Sequence, residues 1–141
     1  MSDFFAARRD FMQRFDFPIP DVPEYLPQRL ALWDSMLTEE WQEFGQALAD
    51  YKAVDTGDSA ALQRARAELA AEGVDVLNVL AGLLLSQGLP LEAMFNAIHA
   101  ANLAKSTDGK VLRRSDGKLL KPPGWQPANK EAIIRQACEK S

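Results

Sequence analysis

Apolar residues recur along most of this chain at three- and four-residue intervals, the spacing of helices that bury one side. Phe4, Phe5, Arg8, Phe11, Met12 and Phe15 set out a first amphipathic helix over residues 3 to 16. Pro18, Pro20, Pro23 and Pro27 follow, and prolines at that density forbid regular helix and ladder alike, so residues 17 to 25 form an extended connector. Leu26, Leu30, Trp33, Leu37, Trp41, Phe44 and Leu48 make a continuous stripe on a second helix from about Leu26 to Tyr51, with Pro27 acceptable in its first turn. Asp58 or Ser59 caps a third helix reaching about Gln87, one face marked by Leu62, Leu69, Val76, Leu80 and Leu83. Gly88 and Pro90 end it and begin a fourth, from Pro90 to about Lys105. Leu91, Met94, Phe95, Ile98 and Ala101 form the inner stripe of that helix, and Asn102 and Lys105 continue it in polar form. His99 falls one residue off the stripe and reads as surface or edge core. Asn129 caps a last helix over Lys130 to Glu139, with Ile133, Ile134 and Ala137 inward.

One stretch breaks the helical period. Between residues 106 and 126, Val111–Arg114 and Lys118–Lys121 flank Ser115-Asp116-Gly117, and Asp-Gly is a strong hairpin-turn signal. A hairpin this short is marginal alone, so it is expected to pack through Leu112, Leu119 and Trp125. The expected fold is therefore all-α: a four-to-five-helix bundle with a short β-hairpin near the C-terminus, in a single domain over residues 1–141.

Composition narrows this little. The chain is 47% hydrophobic and 26% charged, an ordinary globular balance that argues against wholesale disorder. The most apolar run, Val74 to Leu85, is interrupted by Asp75, Asn78 and Gly82 and reads as too short to cross a bilayer. The N-terminus lacks a basic stretch leading into an apolar one, and the single cysteine, Cys138, cannot form an internal disulfide. A cytoplasmic protein with no membrane partner is expected. Charge is more informative. Six basic residues and two acids lie between Lys105 and Lys121, so that segment is +4 and the remainder −8 within a net −4. An acidic body with one short basic segment does not suit a DNA or RNA polymer. It suits a small anionic ligand held between bound metal and basic side chains.

The acids have a pattern of their own. Glu39, Glu40 and Glu43 fall within five residues on the second helix, at i,i+3 and i,i+4 spacings that project them from one side. Like charges so placed repel, by on the order of 4 kcal/mol for a pair ~4 Å apart at an effective dielectric of ~20. Alone, such a run reads as a solvated face. The third helix, however, carries Glu72 and Asp75 at i,i+3 beside its most apolar run, where Asp75 is flanked by Val74, Val76 and Leu77 and is expected off the solvated surface. Packed antiparallel, the two helices can bring Glu40, Glu43, Glu72 and Asp75 to a space of ionic size. Oxygen ligands without histidine or thiol select a hard divalent cation, Mg²⁺ or Mn²⁺, of the kind used on phosphate chains. Glu39 is left over and can serve as general base toward a water. Lys105 and the basic residues of the hairpin would neutralise phosphates from the other side.

These motifs together resemble a known group. Glu39-Glu40-x-x-Glu43 followed by Glu72-x-x-Asp75 is similar to the E-E-x-x-E…E-x-x-D signature of the all-α nucleoside-triphosphate pyrophosphohydrolases, which include MazG, the dimeric dUTPases and phosphoribosyl-ATP pyrophosphohydrolase. Phe11-Met12-Gln13-Arg14-Phe15 resembles the opening F-H-x-x-F of the MazG-like branch. Asn102-Leu103-Ala104-Lys105, with Arg114-Ser115-Asp116-Gly117-Lys118-Leu119-Leu120-Lys121 and Gly124-Trp125, resembles the tail of that branch. The resemblance implies Glu40, Glu43, Glu72 and Asp75 as metal ligands and Glu39 as the base. Asn102, Lys105, Arg114, Lys118 and Lys121 become nucleotide or phosphate contacts. It further implies hydrolysis of a (deoxy)nucleoside triphosphate, dUTP above others, to monophosphate and pyrophosphate, as in nucleotide-pool house-cleaning. Met12 stands where histidine is common, Gly73 lies inside the second acid motif and Asn78 replaces an aromatic or aliphatic residue; these bear on base preference, while the acids are intact. Helices two and three are apolar over more than one face, so a homodimer or dimer of dimers is expected. Two rivals stand beside this reading: a phosphoribosyl-ATP pyrophosphohydrolase, and a non-catalytic helical module that kept the fold.

Overall fold

A computed structural model describes residues 3–140. It contains five helices in the order α1 (Phe4–Arg14), α2 (Pro27–Lys52), α3 (Ser59–Ser86), α4 (Leu91–Leu103) and α5 (Lys130–Cys138), with no sheet among the described residues. The chain divides into two compact units, Met1–Leu89 and Pro90–Ser141.

In the first unit the dominant contact is between α2 and α3. Trp33 lies against Gly82 and Phe44 against Gly73, so the two helices run antiparallel as a hairpin. Their connection is short and held by its own acids. Asp55 Oδ1 accepts from the Gly57 N–H at 2.9 Å, and Asp58 Oδ1 accepts from Ala61 N–H at 3.0 Å as the N-cap of α3. Packing is tightest at the end of the hairpin away from that loop. Trp33, Ala81, Leu85 and Ser86 are all buried there, and a Cβ on Gly82 would overlap the Trp33 ring. An aromatic chain joins α1 to this end: Phe11 stacks on Phe17, and Phe17 meets Trp33 edge-on with centroids 5.1 Å apart. Met12 and Arg8 are the buried residues of α1, and the Arg8 guanidinium lies 4.6 Å from the centroid of the Phe11 ring.

The proline-rich connector is clasped to the end of α3. Gln87 gives both halves of its amide to Leu26, Oε1 accepting from its N–H at 2.9 Å and Nε2 donating to its carbonyl at 3.0 Å. The Glu24 N–H donates to the Gln87 carbonyl at 2.9 Å. Gly88 turns the chain at φ +68, where a Cβ would also meet the Val22 carbonyl. By length and mean hydropathy α3 could cross a membrane, which the interrupted apolar run had not suggested. Its glycines are occupied by the aromatic rings of α2 instead.

The second unit contains α4, an irregular segment and α5, whose N-cap is Asn129. Here the expected hairpin is corrected. The Asp116-Gly117 turn forms, with Arg114 N–H donating to the Lys118 carbonyl at 2.8 Å, but only isolated bridges, Thr107 with Lys110 and Arg113 with Leu119, accompany it. Val111, Leu112, Leu119 and Leu120 are all exposed, so neither side of the would-be ribbon is covered and a two-stranded ladder has nothing to hold it. Of the three residues expected to pack it, Trp125 alone is half-buried. Phe95 and Ile98, expected inward on α4, are exposed as well, and exposed His99 stacks on Phe95 with centroids 6.1 Å apart.

Candidate metal centre

Midway along the hairpin the carboxylates of Glu40 and Glu43 from α2 meet that of Glu72 from α3. One oxygen from each lies within 4.8 Å of the others, a grouping that could hold a metal ion. The helical i,i+3 spacing puts Glu40 and Glu43 on the same side of α2, and the antiparallel register set by Trp33–Gly82 and Phe44–Gly73 carries Glu72 to them. Phe44 packs over Gly73 beside the acids, with room there for an ordinary side-chain contact.

The electrostatics are those of a site short of positive charge. Glu40 and Glu72 are half-buried, and Oε2 of each is shielded from solvent with no hydrogen-bond partner. The pKa of Glu40 is raised, first by burial and then by the charges of Glu43, Asp75 and Glu39, together with hydrogen bonding to Glu43. That of Glu72 is raised by burial, then by Glu43 and Asp75, hydrogen bonding to Glu43, and Glu40. Carboxylate oxygens shielded in this way are normally paired or metal-bound, and the oxygen-only donor set with orphaned oxygens fits a hard divalent cation.

Asp75 and Glu39 stand just outside the trio. Asp75 is exposed rather than tucked among apolar neighbours, because Val74 and Leu77 beside it are themselves 52% and 54% exposed among the described residues. Both acids are close enough for Glu40 to feel their charge, and Glu72 feels that of Asp75. On one flank of the hairpin lies an apolar cleft of about 440 Å³ lined by Leu37, Trp41, Val76 and Leu80, with Asp34, Thr38 and Gln42 at its polar edge.

The basic residues are placed differently from one another. Arg114 is bound to Asp116 by paired side-chain hydrogen bonds, which raise its pKa and lower that of the carboxylate. Asn102 and Lys118 are exposed, and the Lys118 backbone N–H donates to Asp116 Oδ1. Lys105 and Lys121 both stand over the ring of Trp125. That tryptophan was expected only to pack the hairpin; the signal pointing to more was the run Lys121-Pro122-Pro123-Gly124-Trp125, a rigid turn between a cation and a ring.

Two antiparallel helices that bring carboxylates around an ion-sized space, in an all-α chain, define the class: this is a member of the all-α nucleoside-triphosphate pyrophosphohydrolase superfamily. Within it the chain belongs to the phosphoribosyl-ATP pyrophosphohydrolase family, whose model matches residues 8–102. The match runs from within α1 to the last turn of α4 and stops before Lys105 and the basic segment. No curated protein matches the chain. Membership supports a hydrolase acting on phosphoric anhydrides.

Proposed function

We propose that the protein hydrolyses a nucleoside triphosphate, or a nucleotide built on one, to the monophosphate and pyrophosphate. The observation that carries this is the trio Glu40, Glu43 and Glu72, one oxygen of each within 4.8 Å of the others, with Oε2 of Glu40 and of Glu72 shielded from solvent and without a hydrogen-bond partner. Together with Asp75 they would hold Mg²⁺ or Mn²⁺, which when bound supplies positive charge to the phosphoryl oxygens of the scissile anhydride. Glu39, exposed beside the trio, is free to take the proton of the attacking water. Trp41 and the cleft around it suit a nucleobase, with Thr38 and Gln42 at its edge to hydrogen-bond. The roles left to the second unit are charge and hydrogen bonding: Lys105, Lys118 and Lys121 to bind the departing pyrophosphate and Asn102 the nucleotide, whereas Arg114 is already paired with Asp116 and contributes least.

Substrate choice lies between two candidates. The tail motifs favour a deoxynucleoside triphosphate such as dUTP. The family match favours phosphoribosyl-ATP, the alternative that the sequence had placed second. The test is one panel of nucleoside and deoxynucleoside triphosphates plus phosphoribosyl-ATP, with Mg²⁺ or Mn²⁺, assayed for pyrophosphate. Turnover lost in Glu43→Ala is expected; no turnover of any member by the wild type would leave only the non-catalytic module. The site further calls for a homodimer or dimer of dimers. Trp41 at 62% exposure, with Val74, Leu77 and Leu80, leaves an apolar face wide open beside the acids. Sedimentation equilibrium of the metal-loaded protein tests this, and a monomer overturns it.

A further inference from the structure

Lys105 and Lys121 converge on one indole. Their Nζ atoms stand 5.3 and 5.2 Å from the centroid of the Trp125 ring. Local chemistry explains how the three come together. Trp125 N–H donates to the Pro122 carbonyl at 3.1 Å, with Pro123 second and Gly124, at φ +78, third in the turn. That is the residue order of a type II turn, which proline pre-sets and which needs a positive φ where Gly124 sits. It folds the chain so that Lys121, just before the turn, returns over the ring that closes it.

The ring itself is tied to α4. At the end of that helix the carbonyls of Ala100, Asn102 and Leu103 accept from the backbone N–H groups of Ala104, Lys105 and Ser106. The Ala101 carbonyl accepts instead from Trp125 Nε1–H, at 2.6 Å. The indole thus closes the helix terminus from which Lys105 emerges. Two ammonium groups held at one ring repel each other, and the π-face only partly offsets this. Among the described residues the ion pairs are Arg14 with Asp10 and Arg114 with Asp116, so neither lysine has a carboxylate. A monophosphate offers a single anionic group to the two ammonium ions; a diphosphate offers one to each.

We propose that Trp125 is a positioning residue that holds Lys105 and Lys121 as a paired ammonium clamp for a diphosphate-class anion. That this anion is the pyrophosphate portion of a nucleotide rests on the function proposed above; the clamp itself rests on the turn, the indole hydrogen bond and the two ring contacts.

Titration calorimetry of the full chain with inorganic pyrophosphate, without divalent cations, tests it. Wild type is expected to prefer pyrophosphate to inorganic phosphate, and Lys105→Gln or Lys121→Gln to weaken pyrophosphate binding about tenfold each. Trp125→Leu, which removes no charge, weakens it about as much, while Trp125→Phe, which keeps a ring face but loses the hydrogen bond to the Ala101 carbonyl, recovers part of the loss. In a Lys105→Gln/Lys121→Gln background Trp125→Leu then changes nothing further. Unchanged affinity in Trp125→Leu overturns the proposal, as does an equal loss with and without the lysines, which would mark a merely structural tryptophan. If Trp125→Leu does not fold, the two lysine variants and Trp125→Phe decide: wild-type affinity in either lysine variant, or affinity in a folded Trp125→Phe no higher than in the double lysine variant, overturns it. The two readings separate cleanly. A protein that turns over no nucleotide yet shows this pattern keeps the clamp and loses the hydrolase; one that turns over nucleotide with Trp125→Leu normal in both KM and pyrophosphate affinity does the reverse.

Discussion

Two successive stretches in the C-terminal half of α3 are built on opposite principles. Near its end the helix buries Ala81, Gly82, Leu85 and Ser86, with Trp33 filling the space above Gly82 and Gln87 clasping the connector. From Glu72 to Leu80 it presents Val74, Leu77 and Leu80 to solvent and holds a shielded carboxylate oxygen without a partner. One stretch is finished by the chain itself. The other has like charges and bare apolar surface side by side, a combination that costs stability unless a cation and a covering surface are supplied. Stability is concentrated at one end of the hairpin so that the other end can be left incomplete, as is common for sites that bind.

The largest break in this contrast comes from Gly82→Ala. A methyl group has no room against the Trp33 ring, and overpacking here is expected to cost about 3 kcal/mol by urea denaturation. A loss below ~1 kcal/mol would mean that the closed end is softer than it looks. Next, Glu72→Gln is expected to lower pyrophosphate release about a hundredfold, the scale of losing one charge-stabilising group. It should at the same time raise the melting temperature of the metal-free protein, because a repelling charge is gone; a fall would show that Glu72 is already compensated within the chain.

A pH series sharpens the same point. Glu40 and Glu72 both have raised pKa values in the folded chain, so the folded state binds more protons than the unfolded one in the window above the ordinary glutamate value of ~4.3. Metal-free stability from these two groups is therefore fully present below that value and is lost as pH rises through the raised ones. Saturating Mg²⁺ should flatten or reverse this slope, and at a hundred times its Kd would add about 2.7 kcal/mol. Melting curves with and without Mg²⁺ across that range would expose an error in either sign. The smallest effect is expected at Gly73. A Cβ there would sit 3.7 Å from Phe44 Cε2, an ordinary contact, so Gly73→Ala should stabilise α3 by ~1 kcal/mol through helix propensity. The same substitution thus has opposite signs on two glycines of one helix, and equal signs would refute the contrast.

Much of this was legible beforehand. Helical spacing and caps place all five helices within a few residues of where they lie, because Asp58 and Asn129 cap as their types dictate. Glu40, Glu43 and Glu72 could be brought together on paper because i,i+3 spacing on a helix is rigid. What spacing does not carry is which face receives cover. Trp41, Phe95 and Ile98 follow their stripes faithfully and are exposed all the same, and Asp75 shares the open face of α3. The hairpin failed for a related reason: Asp-Gly specifies the turn, but strands need a surface to lie on. Trp125 was hardest to read, since its partners are Lys105, Lys121 and the carbonyl of Ala101, and a helix-end carbonyl leaves no mark in a sequence.

The amide clasp at Gln87 has a further consequence, for alignment. By imitating a rung of ladder with both its donor and its acceptor, Gln87 closes a loop between residues 61 apart and pins the first turn of α2 beside the last of α3. From there to Glu40 the helix climbs about 20 Å, and sliding one helix past the other by a single turn would displace the acids by ~5.4 Å. The clasp is thus the zero mark of a ruler whose reading is taken at the cation. Hydrogen exchange at the Leu26 amide would report, from the far end, each time that ruler comes loose.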